Sequence, residues 1–333
     1  MADQVRRRRY WWVVAYLQWW MASIREKHIG MNRGRPHALI AKFSGHIGSA
    51  VFALVLLASF DVTAQEGSAA EIGKKLANPL GDVWALFTEV DYNWFEGDLS
   101  NGKWRGGQSV LLQPVMPIPI TDGSSLITRP TLPVILSIDQ PDGIKNPQTG
   151  EASFSSNDGL GDMELPLLYT RTPAQGERWQ FGYGPTLQFP THSGGLGTDT
   201  WEAGPAGVVI YKTEALTAGF LGQYWWNYAE DGSDVQDTSH GSLLYFGFWN
   251  LPDAWQVGFN PTITYNDKAE SNNKWNIPVG MTVAKTVMFG KLPIKFQLGV
   301  EKSIVRQEAL GQDFQIKINI IPVIPGLVKR PIF

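Results

Sequence analysis

Downstream of residue 64 the chain carries two histidines, His192 in "THSGGLGTD" and His240 in "TSHGSLLYF". Ser242 stands two residues after His240, so in an extended strand both share a face, as a lipid-facing hydrolase would require of its nucleophile and base. No Gly-x-Ser-x-Gly elbow occurs, and shared facing alone does not activate a serine, so no catalytic residue is assigned. In "SSNDGLGDMELP", Asp158, Asp162 and Glu164 offer oxygen ligands suited to Ca²⁺. Their spacing does not fit an EF-hand loop, and the stretch reads as a polar turn entering a strand. "SGGLGTD" lacks the lysine and the following helix of a phosphate loop. The chain has no cysteine, which removes disulfides and thiolate metal sites. No metal or cofactor is assigned.

What these residues could do depends on the elements that hold them. "LPIKFQLGVEKSI" places Ile294, Phe296, Leu298, Val300 and Ile304 on one face, with Lys302, and Lys295, Gln297 and Glu301 on the other. That period of two marks a strand. About twelve such segments fill residues 84–322, each ~9–15 residues long, the length a tilted strand needs to cross a bilayer. Between them, long polar links (96–107, 139–158, 191–199, 229–239, 266–273, 306–311) alternate with tight ones such as "TDGSS", "NLPD" and "FGK". Long outer loops and short inner turns give that order in a membrane barrel. The one helical candidate, "AAEIGKKLANPLGDVWAL", recurs at Ile72, Leu76 and Leu80 until Pro79 and Gly81 stop it, and reads as a periplasmic lead-in over 65–83.

The 333 residues include 28 basic and 31 acidic side chains. Residues 31–64 hold Arg33, Arg35 and Lys42, an apolar run from Ala50 to Phe60, and Val62-Thr63-Ala64, the layout of a secretory signal peptide cut after Ala64. Residues 1–30, with "RRRRYWWVVAYLQWW", read as an over-extended start upstream of it. Without its first 64 residues the chain has 19 basic and 28 acidic residues, a net charge of −9. That balance argues against a nucleic-acid partner. Residues 323–333 form a tail ending on Phe333.

The expected fold class is all-β: a transmembrane antiparallel up-and-down barrel of about 12 strands with a short N-terminal periplasmic helix. Twelve strands enclose more space than side chains fill, so the apolar faces should meet lipid. The lumen is then lined by Glu89, Asp91, Arg129, Asp162, Glu164, Lys295, Gln297, Glu301 and Lys317, which need not be desolvated. Trp94, Trp179, Trp201, Trp225, Trp226, Trp249, Trp255 and Trp275, together with Tyr265, gather at strand ends and read as an aromatic girdle. Lys302, on the lipid list, must lie near a strand end and reach toward the headgroups. Prolines in "QPVMPIPI" and "RPTLPVIL" remove ladder donors, and mark bulges or a kink that opens the wall to lipid.

"KKLANPLGDVWAL", "VLLQPVMPIPITDGSSLITRPTLPVI", "DGLGDMELPLLYT", "WQFGYGPTLQFPT", "TWEAGPAGVVIYK" and "LPIKFQLGVEKSI" together resemble bacterial outer-membrane β-barrel transporters, a group often catalogued as "neuromedin U". They are similar to the MetA-pathway phenol-degradation family and, more remotely, to outer-membrane channels for fatty acids and aromatic hydrocarbons. The resemblance covers residues 70–322 and implies a barrel in the bacterial outer membrane. It implies as partners outer-membrane lipid and lipopolysaccharide, barrel-assembly and periplasmic chaperone machinery, and a small-molecule solute. Such barrels commonly end on an aromatic residue read during assembly; here "PGLVKRP" separates Phe333 from the last strand. The expected function is diffusion of a small, hydrophobic or aromatic solute. A closed structural or adhesion barrel is the alternative, and an outer-membrane lipid hydrolase comes third.

Overall fold

The computed structural model describes residues 66–145, 151–230, 237–324, 326–328 and 330–332. The signal peptide expected over 31–64, the upstream start expected over 1–30, and Phe333 lie outside the described residues. The chain opens with helix α1 (Glu66–Leu76). It continues as β1 (Ala85–Glu96), β2 (Arg105–Thr121), β3 (Ser124–Thr128), β4 (Leu132–Lys145), β5 (Ala152–Leu160), β6 (Met163–Arg171), β7 (Trp179–Phe189) and β8 (Thr200–Lys212). Then follow β9 (Leu216–Glu230), β10 (Ser239–Asn250), β11 (Trp255–Phe259), β12 (Thr262–Asn266), β13 (Trp275–Phe289), β14 (Leu292–Val305) and β15 (Gly311–Pro322).

Three pairs of these segments are single staves with a break: β3/β4 at Arg129–Thr131, β5/β6 at Gly161-Asp162, and β11/β12 at Asn260-Pro261. That leaves twelve staves, every neighbour antiparallel, and β1 closes the ring by pairing with β2 on one side and β15 on the other. Asp91 sits opposite Ser109 on one neighbour and Lys317 on the other. Closure is what lets a sheet cross hydrocarbon, because it leaves no unpaired edge. No helix among the described residues is long and apolar enough to cross a membrane.

The alternation read from sequence survives residue by residue in β14: Lys295, Gln297, Glu301 and Ser303 are buried while Val300, Lys302 and Ile304 are exposed. Buried polar and exposed apolar side chains invert the pattern of a soluble protein and mark a wall with lipid outside. Lys302 lies near the outer end of β14, its Nζ 2.5 Å from Asp313 Oδ1. Two aromatic belts follow. At the turn end, Trp179 packs on Tyr211 at 5.0 Å and Trp249 on Phe259 at 6.1 Å. At the loop end, Trp94 meets Trp104 and Phe314, Phe189 meets Trp201, Tyr224 meets Trp226, and Tyr265 meets Trp275.

Three expectations change. Trp225 does not belong to the girdle: it is 1% exposed and faces inward, whereas Trp226 is 48% exposed. Two adjacent strand residues cannot face the same way, and only the second meets lipid. The stretch 139–158 is not all loop, since β4 and β5 extend as a paired hairpin to Lys145 and from Ala152. Most of the residues beyond Pro141 are exposed there, as expected of a ribbon standing beyond the bilayer.

The lower lumen is not uniformly polar either. Val115, Ile127, Leu168, Val208, Ile210, Leu221, Phe246 and Phe248 turn inward and form one apolar cluster with Ala77 and Leu80. The end of α1 and the segment after it are therefore inserted in the barrel. Its path can be followed from wall to wall: Gly73 lies against Thr286 of β13, and Leu80 against Gly182 of β7. These staves are five places apart in a ring of twelve, nearly diametrically opposed. Asn78 Nδ2 donates to Gln180 Oε1 (3.1 Å), Gln180 Nε2 donates to the Leu80 carbonyl (3.2 Å), and Trp84 Nε1 donates to the Pro117 carbonyl (3.0 Å). Pro79 and Gly81 end the helix so that the chain can turn across.

If the exposed face meets hydrocarbon, Met281→Arg, midway along β13 and outward-facing, should destabilise the barrel by about 2–4 kcal/mol in urea titrations of lipid-reconstituted protein. Unchanged stability would place that face elsewhere.

Candidate functional site: the lumen

Above the inserted segment lies a cavity of about 650 Å³. Its wall runs from loop-end residues Asn273, Gln307 and Leu310 down to Glu89, Arg129 and Leu244. Alternation in β1, β14 and β15 brings Glu89, Asp91, Glu301 and Lys317 to one side. Arg129 comes from the break in β3/β4, and Glu164 from the start of β6 just after the β5/β6 break. Pro130 follows Arg129 in the β3/β4 break, where a residue without N–H interrupts the stave at little cost. Thr131 restores the pairing through a two-way backbone bridge to Glu164.

The charges are held by specific contacts. Lys317 Nζ lies 2.8 Å from Glu301 Oε1, and Asn319 Nδ2 donates to Glu89 Oε2 at 2.6 Å. Arg129 donates to Gln113 Oε1 at 2.9 Å and sits over the Phe87 ring. Gly299 faces Lys317 across β14 and β15, leaving room where a side chain would crowd the Thr282 hydroxyl.

The remaining residues singled out in the sequence fall elsewhere. Gln297 lines the narrow space where the inserted segment meets the cavity floor, about 60 Å³, beside Phe246, Phe248 and Asn319. Lys295 is fully buried at the level of α1, over the Phe248 ring at 4.7 Å, and its Nζ has no hydrogen-bond partner among the described residues. Asp162 is absent from the cavity wall. Its Oδ1 accepts from the His192 backbone (3.2 Å) and pairs with His192 Nδ1 (2.7 Å), while Oδ2 accepts from the Thr198 backbone (2.7 Å). It is a clamp that folds the 190–199 loop back over the β5/β6 break. Gly197 permits this, since a Cβ there would collide with the Asp162 carboxylate. Asp158 is exposed, so the three acidic residues of "SSNDGLGDMELP" do not converge.

Sequence reasoning missed a further cluster. Glu202, fully buried, meets His240 Nε2 at 2.5 Å and accepts from the Thr200 hydroxyl at 2.8 Å, while the His240 ring stacks on Trp225 at 5.2 Å. Thr198 reaches both Asp162 and Glu202, tying the folded loop to the upper wall. His240 and Ser242 share a face as the spacing indicated, but that face is the lumen: Ser242 lines the cavity and His240 is engaged with Glu202. In the outer loop 267–274, hydrogen bonds from Tyr265 and Lys274 hold the Asp267 carboxyl below its ordinary range.

The profile of a family described as "Putative MetA-pathway of phenol degradation" matches residues 82–302, two thirds of the chain. The chain belongs to this family. No curated protein matches it in sequence. Its fold is similar to that of the COG4313 outer membrane channel from Pseudomonas putida F1, with a TM-score of 0.52 at 14% identity, covering 73% of this chain and 96% of that one. Weaker likenesses include the NanC porin (TM-score 0.42, 10% identity, 72% and 99% covered). Another is the Salmonella typhi outer membrane phospholipase (TM-score 0.35, 11% identity, 76% and 98% covered). The fold is that of an outer-membrane β-barrel.

If Asp162 holds the loop, Asp162→Ala should speed exchange of the His192 and Thr198 amides at least about tenfold, as each loses its acceptor. Hydrogen exchange read by mass spectrometry checks this; unchanged protection would place the restraint elsewhere.

Proposed function

We propose that this barrel is a passive outer-membrane channel for a small solute, entered from the loop end and gated at the turn end by residues 73–84. The observation that carries the reading is the contrast between the two halves of the lumen. The upper half is a wet cavity of about 650 Å³; the lower half is blocked by chain held there through side-chain packing and a few hydrogen bonds, none of them covalent. A plug of that kind can leave without breaking the barrel's ladder.

An aromatic solute suits both the family's link to phenol degradation and the mixed wall, where Phe95, Leu111, Leu221, Leu244 and Leu310 alternate with polar groups. Binding sites for small molecules have this character: mostly apolar, with a few placed polar groups. No covalent chemistry is part of the proposal. Ser242 and His240 face the lumen rather than lipid, and His240 is bound to Glu202.

The chain has no cysteine of its own, which makes the gate directly testable. A Cβ at Gly73 would lie 3.6 Å from the Thr286 Cβ, within the range a disulfide requires. In liposomes, Gly73→Cys with Thr286→Cys should pass phenol-sized solutes when reduced and lose most of that flux when oxidised. Equal flux in both states would remove the gate. Absence of flux even when reduced, with wild type also silent, would favour the closed structural barrel.

A further inference from the structure

The cavity wall is unbalanced in a way that a neutral aromatic solute does not explain. Four carboxylates, Glu89, Asp91, Glu164 and Glu301, face two cations, Arg129 and Lys317. Both cations are already engaged, Lys317 with Glu301 and Arg129 with Gln113 and Phe87. The excess is therefore of acceptors.

Two buried groups show it atom by atom. Asp91, 3% exposed, has an Oδ1 with no hydrogen-bond partner among the described residues. Asn276 is not acidic and stands on β13, at another part of the same wall. It is 5% exposed, and its Oδ1 is likewise unpartnered. Leaving such atoms unpaired costs free energy that an incoming donor recovers. Groups of opposite sign compete poorly, since an anion would meet like charge on a confined wall.

We propose that the cavity is a binding site for small organic cations, specifically a primary ammonium carried on an aromatic body. The ammonium brings three donors and a positive charge to the Asp91 side of the wall. The ring lies against Phe95 of β1 and Leu111 of β2, the apolar residues of the cavity wall nearest the Asp91 side. A cavity of this size falls in the usual range for small-ligand sites, roughly 300–1,000 Å³. This assignment rests on the channel reading for its physiological use, but binding itself does not require flux.

The test separates the two. Calorimetry on the full-length protein purified in detergent should show tyramine binding, with 4-hydroxyphenylacetate, similar in size and opposite in charge, at least about tenfold weaker. Asp91→Asn should weaken tyramine about tenfold, as expected on losing a charged hydrogen bond. Asn276→Leu, which leaves every wall charge in place, should weaken it by a smaller factor. Equal binding of the acid, no tyramine binding, or an unchanged affinity in a folded Asp91→Asn barrel would each overturn the proposal. Tyramine binding without any solute flux would overturn the channel reading and leave this one standing; normal flux of phenol without tyramine binding would do the reverse.

Discussion

In hydrocarbon there is no water to satisfy a free N–H or C=O, so a sheet that spans a bilayer must return to its own first strand. The contact between β1 and β15 is that return, and the rest of the molecule is arranged by it. Closing twelve staves fixes a lumen too wide for strand side chains alone to fill. The alternation within each stave then decides what meets lipid and what meets the lumen. Phe220, Met281, Val300 and Ile304 can be exposed because the solvent on that side is apolar, and Asp91, Glu301 and Lys317 can point inward because the cavity is polar.

A lumen of this width has to be filled, walled off or left open, and the chain does each at a different height. At the loop end, Asp162 pulls the 190–199 loop inward, and Thr198 joins it to Glu202 and His240. The middle is left as cavity. At the turn end, the segment after α1 crosses between opposite walls and covers the apolar cluster of β2, β3, β6, β8, β9 and β10. That seat is mixed in quality. Leu76 and Leu80 are well buried, each worth ~1.5–3 kcal/mol. Lys295 Nζ, Gln256 Oε1 and Thr286 Oγ1 lie buried around α1 without hydrogen-bond partners among the described residues. Polar atoms left unpaired weaken a seat, which suits the proposed gate.

The barrel was legible because its signal is repeated. Twelve staves alternate in the same sense, and the connections alternate long and short, so no single strand had to be decisive. What escaped the sequence had two physical causes. Where apolar residues fall on both faces, as in "AGVVIYK", the period of two vanishes; Val208 and Ile210 then read as ordinary wall residues although they face the plug. Trp225-Trp226 is the same problem in two residues. The second cause is distance along the chain. Asp162 shares the parity of Glu164 and looks like its companion, yet a loop some thirty residues on captures it and no local pattern announces that. The partnership of Glu202 with His240, 38 residues apart, is hidden for the same reason.

One structure accounts for both a wet upper lumen and a closed lower one only if the N-terminal segment alone covers the lower wall. The direct measurement is the reactivity of Lys295→Cys toward a charged, water-soluble thiol reagent in purified protein, compared with the same variant lacking residues 66–83. The cysteine should be inert in the full chain and react within minutes once the segment is gone. Equal reactivity in both would mean the segment does not seal the lumen, and equal inertness would mean the barrel is filled below by its own wall.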